Sequence, residues 1–366
     1  MTGPTITRRA ALLLGLGLVA SACGTRARVG EDGRTWLSAG LSTTSSTVGQ
    51  SYYSSVPRYL GYWEAGGLDV EQPRFNGSGE AVTAVATNRL DIAHAGNFSN
   101  MAAHVNGNAD TVAFMHDIPG NPYFPLVLED SPIRTLADLE GTTLGIFSTA
   151  SDANELLLGV MAQQGLDADS VTIVTTGVGS TAAEALRTGQ IDGWMAYDSG
   201  AALLTTLGLH WRPVELDLFK NFGPGSGLIV RPSLIDEHRA ALVAYGRGIA
   251  QAMVFTATNP EAAVRIHWQV FPESKPAGVA KEDALANGVV EMAARMEHVF
   301  PVANQWGSTT DDGFQAYIDV FAAAGVLKKE LGVGEIWTAD LMADINNFDR
   351  AAIEEQARTF ELSAPR

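Results

Sequence analysis

A two-lobe α/β fold, with mostly parallel sheets flanked by helices and C-terminal helices on the first lobe, is what the sequence predicts. Two observations carry this expectation. From Thr35 the chain alternates short β-branched or apolar runs with longer stretches of helical periodicity, the pattern of βαβ units. The same series of landmarks then occurs twice, in the same order. At 366 residues the chain is also long enough for about two domain-sized units, each with a sizeable core.

The first segment reads as an address. Arg8 and Arg9 precede an apolar run over residues 10–20, about the length of a signal-peptide h-region and too short to span a bilayer. The run ends in Ala20-Ser21-Ala22-Cys23-Gly24, which resembles the bacterial lipoprotein cleavage pattern, with the only cysteine of the chain as the lipidated residue. Residues 1–22 are therefore expected to be a lipoprotein signal peptide and 23–34 a lipid-anchored tether, with export by the Sec or the twin-arginine route. No internal disulfide can form from one cysteine. Later segments contain no run of about 18 apolar residues, so the anchor is the only expected membrane attachment.

Charge narrows the partners. With 24 Lys+Arg against 41 Asp+Glu, the net charge is −17. Loss of residues 1–22 removes two arginines and no acids, giving 22 − 41 = −19. Nucleic acid needs clustered basic side chains, and the sequence has no such stripe.

The repeat begins with a strand over 36–41, the hydroxyl-rich turn Ser42-Thr43-Thr44-Ser45-Ser46, and a helix that stops at Gly66-Gly67-Leu68-Asp69. Its second copy has a strand over 144–147, the turn Ser148-Thr149-Ala150-Ser151, and a helix that stops at Gly165-Leu166-Asp167. In each, another strand follows (70–75; 171–175), then Gly77-Ser78-Gly79 or Gly177-Val178-Gly179-Ser180, and a second helix. Those helices end at Thr87-Asn88-Arg89 and Thr188-Gly189-Gln190, where Asn and Gly share the capacity for positive φ that a helix C-terminus needs. Third strands are expected over 92–95 and 193–197. Crossings between lobes fall near 124–128 and 222–230, the second rich in Gly and Pro. Helical spacing then marks 235–258, 260–270, 281–299, 311–323 and 338–358, which return to the first lobe. The lobes are accordingly set at 35–126 with 227–366, and at 127–226.

Ligands of open α/β sheets lie beyond the C-terminal strand ends, where helix N-termini present free N–H groups. That places 42–46, 76–78 and 96–98, including Gly96 and Asn97, on one wall of a cleft. The facing wall receives 148–151, 177–180, Tyr197 and Asp198. Aromatic residues near these positions, Tyr52, Tyr53, Phe98, Trp194, Tyr197 and Phe222, are candidates to stack on a planar ligand, with Tyr53 and Tyr197 preferred. Trp194 and Tyr197 lie three apart in a strand and point to opposite faces, so at most one of them lines the cleft.

Residues 51–70, reading Ser-Tyr-Tyr-Ser-Ser-Val-Pro-Arg-Tyr-Leu-Gly-Tyr-Trp-Glu-Ala-Gly-Gly-Leu-Asp-Val, resemble the opening of solute-binding proteins of ABC importers, of the nitrate/sulfonate/thiamine-pyrimidine-precursor family. So do Gly77-Ser78-Gly79-Glu80, Leu90-Asp91-Ile92-Ala93, residues 130–141 and residues 343–353. The resemblance implies a type II periplasmic-binding-protein fold that captures a small solute and delivers it to membrane permease subunits. It also implies ligand contacts from the hydroxyl loop, the Gly-Ser turn and the second-lobe helix N-terminus, here Ser45, Ser46, Gly77, Ser78, Ser148 and Ser151. A sulfonate, a pyrimidine precursor or an aromatic carboxylate are the expected solute classes. No basic residue falls in these motifs, so an anion is expected to be held by helix N-termini and neutral donors.

Enzyme readings are weaker. Gly177-Val178-Gly179-Ser180-Thr181-Ala182 matches G-x-G-x-x-A, but its partner turn in the first copy lacks the fingerprint. The seven histidines show no zinc spacing, and there is no G-x-S-x-G elbow. Relatives that synthesise pyrimidines are cytosolic and carry a cysteine-rich motif that is missing here. No catalytic residue, metal or cofactor is expected; a ligand-sensing surface receptor is the alternative, to be decided by permease and ATPase genes beside it.

Overall fold

The computed structural model describes residues 28–107, 109–149, 151–220 and 222–362. The expected signal peptide and Cys23 lie outside the described residues.

Eleven strands form two sheets among the described residues. In chain order they are β1 (Arg28–Val29), β2 (Thr35–Leu41), β3 (Leu68–Glu71), β4 (Ile92–Gly96), β5 (Val112–Ile118), β6 (Tyr123–Leu128), β7 (Thr143–Ile146), β8 (Thr172–Thr175), β9 (Gly193–Tyr197), β10 (Trp211–Pro213) and β11 (Ser226–Val230). Sheet one runs β3-β2-β4-β11-β5, with β1 pairing antiparallel to the start of β2. Sheet two runs β8-β7-β9-β6-β10. Both have three parallel strands followed by a strand of opposite sense, β11 against β4 and β6 against β9. The two orders coincide when the repeats are aligned.

These antiparallel strands fall where the sequence placed the crossings, near 124–128 and 222–230, and each is entered from the other lobe. Sheet two already begins at Tyr123, so the first crossing falls at 119–122, a few residues before the expected boundary. The crossing segments lie against each other: a Cβ on Gly223 would sit 2.6 Å from the Pro119 carbonyl oxygen. Asn121 pins the junction, its amide nitrogen donating to the Tyr123 and Phe219 carbonyls at 2.7 and 2.9 Å.

The strands read as near-continuous apolar runs because helices cover both faces. All five residues of β4 and all seven of β5 are buried. At the ends of the second helices (Ser78–Ala86 and Ser180–Arg187) Asn88 has φ 58° and Gly189 φ 68°, so the paired Asn and Gly occupy the same left-handed position. The first helices differ. Asp152–Gln163 is continuous, whereas its counterpart is broken into a 3-10 segment, Val48–Tyr53, and short helices Ser55–Tyr59 and Tyr62–Ala65 that meet at Gly61, φ 71°.

Helices Pro232–Thr258, Pro260–Val270 and Arg350–Arg358 pack on lobe one, with Trp63 stacked on Tyr245 at 5.2 Å. Two others reach across the cleft. Lys281–Met296 lies against both Pro260–Val270 of lobe one and Asp198–Thr206 of lobe two. Asp311–Ala323 packs on Asp152–Gln163 of lobe two, and its Phe321 meets Phe98 of lobe one at 4.5 Å. Part of the region placed on lobe one by sequence thus bridges the two lobes. The expected helix over 338–358 is also interrupted. Asp349 caps Arg350–Arg358 by accepting from the Ala352 amide, and Asn346 bonds Trp306, because short polar side chains compete for backbone groups.

Candidate functional site

A cleft of about 540 Å³ opens between the lobes. Lobe one contributes Ser42, Thr43, Thr44, Ser45 and Thr47 of the hydroxyl loop, Gln50, Tyr53, the Asn76-Gly77-Ser78 turn, His94 and Gly96. Lobe two contributes Phe147, Ser148, Thr149, Ser151, Asp152, Gly177, Val178 and Tyr197. Tyr123 and Ser226 stand on the crossing strands, and Arg295 enters from the bridging helix Lys281–Met296.

Of the sequence-derived candidates, Ser45, Tyr53, Gly77, Ser78, Gly96, Ser148, Ser151 and Tyr197 line this cleft. Ser46, Asn97 and Asp198 do not. Ser46 accepts a hydrogen bond from Arg74, whose other guanidinium nitrogen donates to the Ser45 carbonyl at 2.9 Å. Asn97 faces the crossing, its amide nitrogen donating to the Pro224 carbonyl at 2.9 Å. Asp198 lies behind the wall, paired with Arg295 at 2.7 Å. Among the aromatic candidates Tyr53 and Tyr197 face the cleft, whereas Tyr52 and Trp194 are fully buried and Phe98 packs on Phe321.

Several candidate hydroxyls also build the walls. Ser78 Oγ accepts from the Gly96 amide at 3.0 Å, and Ser151 Oγ caps Asp152–Gln163 by accepting from the Ala153 amide at 3.1 Å. Each keeps its own O–H to donate into the cleft, since a hydroxyl accepts and donates at once.

The largest departure from the sequence reading is Arg295, a cation where none was expected. Burial works against its charge, but Asp198, two tyrosines and Asp117 more than reverse that, and its pKa is raised. Its Nε is buried without a hydrogen-bond partner. The signal was present in the sequence: Ala284, Gly288, Met292 and Arg295 follow spacings of 4, 4 and 3, so the arginine stands on the buried face of its helix.

At the lobe-one floor His94 stacks on Tyr53 at 3.8 Å, and its Nε2 lies 2.8 Å from Asp117 Oδ2. Tyr52 and Ser226 donate to the same carboxylate at 2.9 and 2.6 Å. Burial pushes Asp117 up, but His94 and the two hydroxyls outweigh it and hold the carboxyl at about 2. The network fixes His94 and Tyr53 as a flat apolar face with a polar rim. Across the cleft, Asp152 is 2 % exposed and burial raises it to about 7 against hydrogen bonds from Ser99.

Hydroxyls and helix N-termini around a buried guanidinium, flanked by tyrosine rings, form a cleft whose donors suit a small polar or anionic group. The two α/β lobes that face each other across it share one strand order. A family model described as NMT1/THI5 like matches residues 54–263, more than half of the chain, and the chain belongs to that family. No curated protein matches it. Among solved structures, a protein of Bordetella bronchiseptica RB50 is similar, with 18 % identity, a TM-score of 0.63, and 88 % of this chain and 98 % of that one covered. The alkanesulfonate-binding protein SsuA of Xanthomonas axonopodis pv. citri, bound to MOPS, has 21 % identity, a TM-score of 0.62 and coverage of 82 % and 98 %. The periplasmic aliphatic sulphonate binding protein SsuA of Escherichia coli has 19 % identity, a TM-score of 0.59 and coverage of 83 % and 92 %. These likenesses establish the fold.

Proposed function

We propose that this chain is the solute-binding component of an ABC importer, and that it captures a small anionic solute with a sulfonate or carboxylate head and an organic body. The observation that carries the reading is Arg295, a buried guanidinium at the edge of a cleft otherwise lined by hydroxyls and rings. A planar fork of donors suits a tetrahedral or planar oxyanion, while Tyr53, Tyr123 and Tyr197 offer faces to the organic part. The SsuA relatives with this fold bind sulfonates, which supports the same class of head group. The role is capture, in which the solute is handed on to the permease unchanged. Cys23 would carry the lipid that holds the exported chain at the outer face of the cytoplasmic membrane, within reach of permease subunits.

A thermal-shift screen with alkanesulfonates, taurine, MOPS, nitrate, thiamine pyrimidine precursors and aromatic carboxylates tests the reading. A solute at 100 times its Kd stabilises by about 2.7 kcal/mol. A sulfonate or carboxylate hit that disappears in Arg295→Met supports the site. A hit confined to neutral pyrimidines, unaffected by Arg295→Met, refutes the anionic reading.

A further inference from the structure

One carboxylate in the cleft binds the opposite lobe. Asp152 is the first residue of helix Asp152–Gln163 in lobe two, yet its side chain ends on lobe one. There it meets the N-terminus of helix Asn97–Gly107: Ser99 Oγ donates to Oδ1 at 2.9 Å, and the Ser99 amide lies 3.4 Å from Oδ2. The fit depends on Gly96, where a Cβ would stand 1.9 Å from Oδ2. The hydroxyl and amide donors at this helix N-terminus favour the charged carboxylate, but its near-complete burial between the lobes outweighs them.

We propose that Asp152 is a protonation-controlled clasp between the lobes: its carboxyl, seated on Gly96 and Ser99, favours the shut cleft when protonated and opposes it when charged. This inference rests on the reading of the cleft as one that opens and closes around a solute. Among the described residues, the main influences on the carboxyl include no cation to compensate its charge. Its own helix brings Glu155, which raises it further. Tyr123 on β6 and Tyr317 on the covering helix Asp311–Ala323 both feel its charge, and neither is cationic. Helix Asn97–Gly107 brings Ser99 at this end, with His104 in its last turn.

The sign follows from the two environments. In an open cleft the carboxyl faces water and keeps its ordinary value near 3.8; seated between the lobes it titrates at about 7. The shut form binds the proton more tightly, so closing takes up a proton between these values. The closing equilibrium falls by about tenfold for each pH unit across that window. It is most favourable below about pH 4 and weakest above 7.

Electron–electron distance measurements on the full chain test this without a solute. Spin labels go on Thr83→Cys and Glu184→Cys, exposed positions on corresponding helices of the two lobes, in a Cys23→Ser background. The expected result is a short inter-lobe distance that dominates at pH 5 and loses population as pH rises to 8. Asp152→Asn, which keeps an acceptor for Ser99 Oγ, is expected to abolish that pH dependence. Ser99→Ala is expected to preserve it and move its midpoint upward. A pH-independent distance in the parent chain, or an unchanged pH profile in Asp152→Asn, overturns the clasp. A pH-independent distance accompanied by a solute hit overturns the clasp alone, whereas a pH-driven change with no hit in any class counts against the solute reading alone.

Discussion

The pair Arg295 and Asp198 joins stability to recognition. Removing one member of a buried ion pair leaves the other charge uncompensated, at a cost of about 3–5 kcal/mol. Arg295→Met is expected to lower the unfolding free energy by that amount, and Asp198→Asn on top of it to restore most of the loss, both read by urea denaturation. Solute binding should stay lost in the double variant, which separates the two roles. At the lobe-one floor the folded state depresses the Asp117 carboxyl from 3.8 to about 2, so its contribution is present above about pH 4 and disappears as pH falls through 2. Asp117→Asn should therefore flatten the acid limb of the stability profile over that window while lowering stability at pH 7. The sequence places Asp198 on the cleft wall, but neither its pairing with Arg295 nor the Asp117 network announces itself there. Their partners lie 97 and 23 residues away, as 295 − 198 and 117 − 94 show, and only the packing of separate elements brings them together.

At the scale of elements, what local chemistry dictates was legible. The hydroxyl turns, the Gly-Ser turns and the positive-φ helix ends each need particular residue types, and their order marked both repeats. Less legible was whatever tertiary packing decides. The break at Gly61, the interruption by Asn346 and Asp349, and the reach of Lys281–Met296 and Asp311–Ala323 across the cleft follow from neighbours that no periodicity reports. The same cause hid Arg295 and the lobe-one seat of Asp152. The crossings are close-packed backbone against backbone, and Gly223 is expected to tolerate no side chain. Gly223→Ala should cost about 1–3 kcal/mol through forced displacement of the Pro119 segment, measured by thermal denaturation against a surface control such as Gly79→Ala, which meets nothing within 4 Å.

At the scale of the whole molecule, two buried histidines set the response to mild acid. Burial lowers His116 and His267 from 6.5 to about 3, so each favours the folded state above about pH 6.5 and progressively less as pH falls toward 3. Global stability is thus expected to decline below pH 6.5, and His267→Gln, which keeps a partner for Ser55 Oγ, should make the decline shallower in a series of urea melts. Acid therefore acts in opposite senses on the molecule, loosening its core while Asp152 draws the lobes together. The order of strands in sheet one bears on how the chain acquires this structure. β11 is inserted between β4 and β5, yet it follows β5 by 226 − 118 = 108 residues, after all of sheet two. Until that strand arrives, β4 and β5 both present open edges, and the first lobe cannot complete its sheet while the second is still being synthesised. Such non-local pairing folds slowly, because the loop must close before the contacts reward it. A nascent chain with this topology stays unfinished, and accessible to factors that hold unfolded polypeptides, until nearly two thirds of it has been made.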